Sequence, residues 1–166
     1  MTLRCLVLVL VVGVAGCADG PGREPGPEEG GSTVRVIRVT DGDTIRVARS
    51  GDERIRLIGI DTPEVDWYGG PAECFGEESG RFLQGLLEGE RVRLEHDRER
   101  TDRYGRTLAY VYLEDGRMVN LLLVRRGYAV VTIYSPNDRH EAPLRAAEAR
   151  ARAAAAGIWG ACVRAG

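Results

Sequence analysis

Between residues 33 and 60 apolar and polar positions alternate with a period of two. Val34, Val36 and Val39 lead to a turn at Asp41-Gly42, and Ile45 and Val47 continue beyond it between arginines, which predicts a β-hairpin. A second turn at Ser50-Gly51-Asp52 precedes Ile55-Arg56-Leu57-Ile58-Gly59-Ile60, a predicted third strand that ends at Asp61, where Thr62-Pro63 breaks the ladder. Trp67 to Pro71, with paired glycines, reads as a loop. From Ala72 to Leu87 the period changes: Phe75, Ser79, Phe82, Leu83 and Leu86 recur at helical spacing, and Gly89 stops the helix. Alternation returns in Arg91–Glu95 and Thr107–Leu113, a fourth and fifth strand on either side of the polar run 96–102. A short helix is expected over Val119–Arg126, extended chain over Tyr128–Ile133, and a turn at Ser135-Pro136-Asn137-Asp138. The last helix, Glu141–Ala156, carries the apolar stripe Leu144, Ala147, Ala151 and Ala155, tolerates Pro143 in its first turn, and is closed by Gly157. Short strands interleaved with helices predict an α+β domain dominated by a small β-barrel.

The first 32 residues have a different pattern. Met1–Cys17 holds a single Arg4, the apolar run Cys5–Val12, and then Val14-Ala15-Gly16-Cys17. The run is shorter than the roughly 20 residues a spanning helix needs, so the segment reads as an export signal. Small residues before a cysteine resemble the lipobox of bacterial lipoproteins. That resemblance implies a lipid on Cys17 and a protein anchored to the cell membrane outside the cytoplasm; a cleaved signal with an incidental cysteine is the alternative, and gives a secreted protein. Residues 18–32 are mostly Gly, Pro and Glu, a disordered tether, leaving 33–166 as the folded domain.

Composition narrows the picture. A chain of 166 residues with 43% hydrophobic positions suits one domain plus an appendage. The formal charge of −2 argues against a sequence-specific duplex binder with a strongly basic face. All 23 basic residues other than histidine are arginine, a composition bias without functional meaning. With Cys5 and Cys17 assigned to the leader, Cys74 and Cys162 remain; in an oxidising compartment they are a candidate disulfide, and two free thiols are the alternative. No heptad seam is visible, so a monomer is expected.

Chemistry concentrates in three polar motifs: Asp41-Gly42-Asp43-Thr44, then Arg56 with Asp61-Thr62-Pro63-Glu64, then Arg103-Tyr104-Gly105-Arg106. Each alone has an ordinary structural reading, as a hairpin turn, a helix start or a solvated strand edge. Together they point to phosphodiester cleavage. Carboxylates at strand ends can gather a hard divalent cation such as Ca²⁺. Separated guanidiniums can grip a phosphate in bidentate fashion, and one further carboxylate can handle water.

At these positions the chain resembles the staphylococcal nuclease (thermonuclease) family. The matching stretches are 39–44 (Val-Thr-Asp-Gly-Asp-Thr), 55–57 (Ile-Arg-Leu), 61–64 (Asp-Thr-Pro-Glu) and 100–106 (Arg-Thr-Asp-Arg-Tyr-Gly-Arg). They continue at 108–112 (Leu-Ala-Tyr-Val-Tyr), 118–120 (Met-Val-Asn) and 157–159 (Gly-Ile-Trp). The resemblance implies a five-stranded OB-fold barrel with three α-helices. It also implies one Ca²⁺ held by Asp43, Asp61 and the carbonyl of Thr62, with Asp41 supporting the turn behind them. Glu64 would orient or deprotonate the attacking water, and Arg56 and Arg106 would neutralise charge on the phosphate. Arg103, Tyr104 and Tyr134 would contact substrate. The implied activity is endonucleolytic hydrolysis of DNA and RNA, single strands preferred, leaving 3′-phosphate products. A catalytically silent nucleic-acid or protein binding module on the same fold is the alternative. Thr132 stands where the family often has a second tyrosine, and the loop Val65-Asp66-Trp67-Tyr68-Gly69-Gly70 lacks the family's lysines. Weaker or differently ranked nucleic-acid binding, with Trp67 or Tyr68 stacking on a base, is expected from those departures.

Overall fold

Strands with one apolar face must bury it against a partner, and here five of them bury it by closing on themselves. The computed structural model describes residues 32–65 and 72–162. Its strands are β1 (Ser32–Val39), β2 (Thr44–Val47), β3 (Glu53–Leu57), β4 (Ile60–Asp61), β5 (Arg91–Glu95), β6 (Thr107–Leu113) and β7 (Val130–Val131). The barrel runs in the order β1-β2-β3-β6-β5, and β4 pairs with β7 in a separate two-stranded sheet. All barrel pairings are antiparallel except β3 with β6, which run parallel with Arg56 opposite Leu108. Val36, Ile45, Val47, Ile55, Leu57, Val92, Leu94 and Val111 fill the interior. Burying each such side chain stabilises the fold by about 1.5–3 kcal/mol before entropy is counted.

The helices are α1 (Gly76–Leu87), α2 (Val119–Arg125), α3 (Glu141–Ala153) and the single turn α4 (Ile158–Ala161). Leu83 and Leu87 of α1, Leu123 and Val124 of α2, and Leu144 and Ala147 of α3 join the same core as the barrel. Buried Asn120 ties layers together: its Oδ1 accepts the Val111 N–H at 3.0 Å and its Nδ2 donates to the Ile58 carbonyl at 2.8 Å. The five-stranded barrel with three main helices is the expected OB-fold architecture. Among the described residues no helix is long and apolar enough to cross a membrane.

Several elements depart from the periodicity. The third strand does not run unbroken to Ile60. Ile58 donates to the Ala109 carbonyl, Gly59 turns at φ +78°, and β4 starts again in a different sheet. The first long helix begins at Gly76 and not Ala72, because Phe75 takes a left-handed φ of 72°. The last one ends at Ala153; Ala155 is exposed at φ +49°, and Glu148 takes a buried place on the stripe, accepting the Val131 N–H at 2.8 Å. The fourth helical turn, α4, has no counterpart in the sequence pattern. Strand β1 starts at Ser32, one residue inside the expected tether, where it pairs with Leu94. Cys74 and Cys162 are joined by a disulfide with Cα atoms 5.8 Å apart. The export signal, Cys17, most of the tether, and Trp67 and Tyr68 lie outside the described residues.

Candidate active site

The turn between β1 and β2 is built around its own carboxylates. Asp41 Oδ1 accepts the Asp43 N–H at 3.0 Å, an Asx turn that points the Asp43 side chain inward. The Thr44 hydroxyl donates to Asp43 Oδ1 at 3.1 Å, and the Thr62 N–H and hydroxyl donate to Oδ2 at 3.2 and 3.3 Å. These bonds join the β1–β2 turn to the segment after β4, so residues nineteen positions apart share one carboxylate. Gly42 makes the approach possible, since a Cβ there would lie 2.6 Å from Thr62 Oγ1.

Arg56 reaches the same place from β3. Its Nη1 contacts Asp43 Oδ2 and its Nη2 donates to Asp61 Oδ1 at 2.7 Å, so one guanidinium bridges the two carboxylates. The Arg56 side chain is 13% exposed and Asp61 48%, which leaves Asp61 open to solvent on its far side. Burial pushes the Asp43 carboxyl up to about 7; Arg56 opposes the rise, while Asp41 and Asp61 add to it. Glu64 is also raised, first by burial and then by Asp41, Asp61 and Glu73, with Arg56 again the opposing charge. The surplus of negative charge around one arginine is what a divalent cation relieves. Among the described residues no cluster of three or more Asp, Glu, His or Cys side chains is arranged for a metal. The oxygens near this arginine, from the Asp43 and Asp61 carboxylates and the Thr62 backbone, are of the kind that would suit a hard cation.

Beyond Arg56 the barrel wall opens into a cavity of about 520 Å³ lined by Arg56, Arg103, Tyr104, Arg106, Tyr134 and backbone of 57–60 among others. Arg106 is oriented by Asp102, which accepts both its N–H at 2.9 Å and its Nε at 2.7 Å. Burial alone would raise the Asp102 carboxyl, but the hydrogen bonds from Arg106 and from the Tyr104 N–H outweigh it and hold the group below the usual aspartate range. Arg103 donates to the Tyr104 hydroxyl at 2.6 Å and lies 4.8 Å from its ring centroid. Tyr104 and Tyr134 are 60% and 71% exposed, uncommon for rings of that size and suited to stacking on a flat ligand.

The fold thus gathers Asp41, Asp43, Arg56, Asp61, Thr62 and Glu64 at one end and Arg103, Tyr104, Arg106 and Tyr134 along the cavity, with Arg56 common to both. Thr132 stays apart, its N–H donating to the Gly59 carbonyl. Three contributors do not emerge from the motifs alone. Asp102 belongs to the same motif as Arg106 and sits four residues before it, a spacing that could have revealed the pair. Glu73 accepts the Glu64 N–H at 3.0 Å, and Gly76 packs so close that a Cβ would lie 2.4 Å from the Glu64 carbonyl oxygen. Neither bears a local signal, because each acts on a residue nine or more positions away.

Comparison with known proteins agrees with this geometry. The family profile described as "Staphylococcal nuclease homologue" matches residues 54–161. A thermonuclease from Staphylococcus intermedius is 42% identical over 142 residues, covering 85% of this chain and 84% of that protein. A thermonuclease from Staphylococcus hyicus is 41% identical, over 76% of this chain and 75% of its own length. The endonuclease YncB of Bacillus subtilis is 35% identical over 129 residues, 76% of this chain and 61% of that enzyme. Matched by that family model over residues 54–161 and 41–42% identical to two thermonucleases over most of both chains, the chain belongs to the staphylococcal nuclease family.

Proposed function

We propose that this protein is a Ca²⁺-dependent endonuclease that hydrolyses phosphodiester bonds in DNA and RNA, single strands preferred. The observation that carries the reading is the position of Arg56, shared between the Asp43–Asp61 carboxylate pair and the cavity that holds Arg106. A phosphate lying in that cavity meets a guanidinium on the barrel wall and a second one on the loop before β6, with an acidic pocket beside it.

Arg56 and Arg106 bind the scissile phosphate and neutralise charge on its equatorial oxygens as it grows during in-line attack. Asp102 keeps Arg106 in a fixed orientation for that contact. Glu64, raised by burial and by its acidic neighbours, orients the attacking water and accepts its proton. Tyr104 and Tyr134 stack on exposed bases, which favours a strand whose bases are splayed out over one held in a duplex. Asp43, Asp61 and the Thr62 carbonyl would hold Ca²⁺, which would supply Lewis-acid stabilisation of charge on the phosphate. The expected products carry 3′-phosphate and 5′-hydroxyl ends.

The experiment is cleavage of single-stranded DNA by the purified protein with Ca²⁺ and with chelator, beside Glu64→Gln. The expected outcome is Ca²⁺-dependent degradation that falls at least about 100-fold in the variant while binding persists, as loss of a general base predicts. Binding without cleavage under every condition would replace the enzyme with a binding module. We further propose that residues 1–17 export the protein and that a lipid on Cys17 holds the monomeric domain on the outer side of the cell membrane, with 18–31 as a tether. Labelling cells with a radioactive fatty acid tests this, since Cys17→Ala should abolish incorporation.

A further inference from the structure

We propose that Glu73 is a positioning residue for Glu64, and that the Cys74–Cys162 disulfide holds Glu73 in place, so that turnover depends on the redox state of the bridge. The inference rests on the proposed role of Glu64 at the attacking water.

Glu64 is itself exposed, on a segment that leads away from β4 outside any strand or helix. Both of its backbone groups are bonded to one residue. Its N–H donates to Glu73 Oε2 at 3.0 Å, and its carbonyl accepts the Glu73 N–H at 3.0 Å. Behind this pair, the Gly76 N–H donates to the Glu73 carbonyl at 2.9 Å, and Gly76 lacks the Cβ that would strike the Glu64 oxygen. Glu73 itself is exposed and precedes α1, whose first residue, Gly76, holds it by that single backbone bond. Its neighbour in the chain is Cys74, bonded covalently to Cys162, 88 residues later.

The far end of the bridge is firmly seated. Cys162 caps α4 by donating to the Ile158 carbonyl, and Ile158 donates to the Gly127 carbonyl at 2.9 Å with its side chain buried. Gly127 and Gly157 touch backbone to backbone, a contact with no room for a Cβ on either. A path of one backbone hydrogen bond and one covalent bridge therefore runs from the core at the end of α2, through α4 and the disulfide, to the residue that clamps the Glu64 backbone. The side chains assigned to substrate in the cavity, Arg56, Arg103, Tyr104 and Arg106, sit on β3 and on the loop before β6, off this path.

Cys74 is exposed, so a dithiol reductant can reach it. A thiolate of the reductant attacks one sulfur, the S–S bond breaks, and the other cysteine leaves as a thiolate that takes up a proton. The second thiol of the reductant then resolves the mixed disulfide, releasing the second protein thiol and a cyclic oxidised reductant. Two electrons move from reductant to protein, and Glu73 keeps only its hydrogen bonds.

The test measures kcat, KM and the hydrogen exchange of the Glu64 amide in the full-length protein, oxidised and then reduced with dithiothreitol. Reduction should speed exchange of that amide by about tenfold while amides of Leu57 and Val111 in the barrel stay protected. It should also lower kcat on single-stranded DNA by about 10- to 100-fold with KM unmoved, the upper end being the cost of a misplacement of roughly 1 Å at a catalytic group. Reoxidation should restore both. With the bridge intact, Glu73→Ala should reproduce the loss, and Glu73→Gln, which keeps an acceptor for the Glu64 N–H, should keep most of the turnover. A reduced protein with unchanged Glu64 exchange and kcat within twofold would overturn the redox link; a Glu73→Ala protein with wild-type kcat would overturn the positioning role. Absence of cleavage by the oxidised protein counts against the nuclease reading instead, and the Glu64 amide, measured without Ca²⁺, still reports on the clamp.

Discussion

Gly42 stands 2.6 Å from Thr62 Oγ1 by way of the Cβ it lacks, so the distance between the first acidic motif and the second is set by a missing methyl group. Gly42→Ala should push Thr62 away from Asp43, destabilise the protein by about 1–3 kcal/mol in thermal or urea melts, and weaken Ca²⁺ binding further than that loss accounts for. Asp43 sits at the centre of the same contacts, its carboxyl raised to about 7 by burial. A carboxyl raised in the folded state contributes stability that is complete below its ordinary value of 3.8 and is lost as pH rises through about 7. Calcium-free melts should therefore show the wild type losing stability from pH 4 to 8 relative to Asp43→Asn, which has no proton to lose. The same proton competes with the cation. Ca²⁺ titrated by calorimetry should bind about tenfold more weakly for each pH unit below about 7, and proton release should accompany binding there. Asp102 behaves in the opposite sense: depressed by its bonds to Arg106, it stabilises its loop above its ordinary value of 3.8 and loses that contribution as pH falls below it.

At the scale of elements, the break at Ile58-Gly59 decides where the second acidic motif points. A continuous third strand would have carried Asp61 along the barrel wall; the left-handed turn at Gly59 sends β4 out of the barrel to pair with β7, which brings Asp61 to Arg56. Gly59 has both a φ of +78° and a neighbour, Leu144 Cδ1, 2.8 Å from a would-be Cβ. Gly59→Ala should cost about 1–3 kcal/mol in stability and reduce kcat, read from melts and steady-state kinetics together. Asn120 serves the same corner, its amide pairing with the Val111 N–H and the Ile58 carbonyl from inside the core. Asn120→Ala leaves both backbone groups unsatisfied and should destabilise by about 2–4 kcal/mol, a large fraction of a small domain's margin.

For the molecule as a whole, the disulfide closes a loop of 88 residues that takes in α1, the barrel strands β5 and β6, α2, α3 and α4. In the chain-entropy model such a bridge stabilises by about 4 kcal/mol. Cys74→Ala together with Cys162→Ala should lower the urea midpoint accordingly, and a wild type whose midpoint does not move on reduction would contradict that account. On the proposed function, the cavity between barrel and loops is where substrate discrimination is tested. Replacing Tyr104 and Tyr134 by Ala should raise KM on single-stranded DNA by about 5- to 150-fold for each stacked base lost, with kcat much less affected.

By itself, the alternation of apolar residues determined most of the secondary structure, and the order of the acidic and arginine motifs identified the family. Both are local properties: a period of two or 3.6 is read within a few residues, and a motif is a short string. Tertiary structure alone decided what lies between distant residues. That Arg56 bridges Asp43 and Asp61, that Glu73 clamps Glu64, that Cys74 meets Cys162 and that Gly42 must lack a side chain all depend on backbones brought together by barrel closure. Even the interrupted third strand belongs here, since Ile58-Gly59-Ile60 reads as apolar strand in sequence, and only the packing of Leu144 and the pairing with β7 turn it. Periodicity records which face of a segment is buried; it does not record against what.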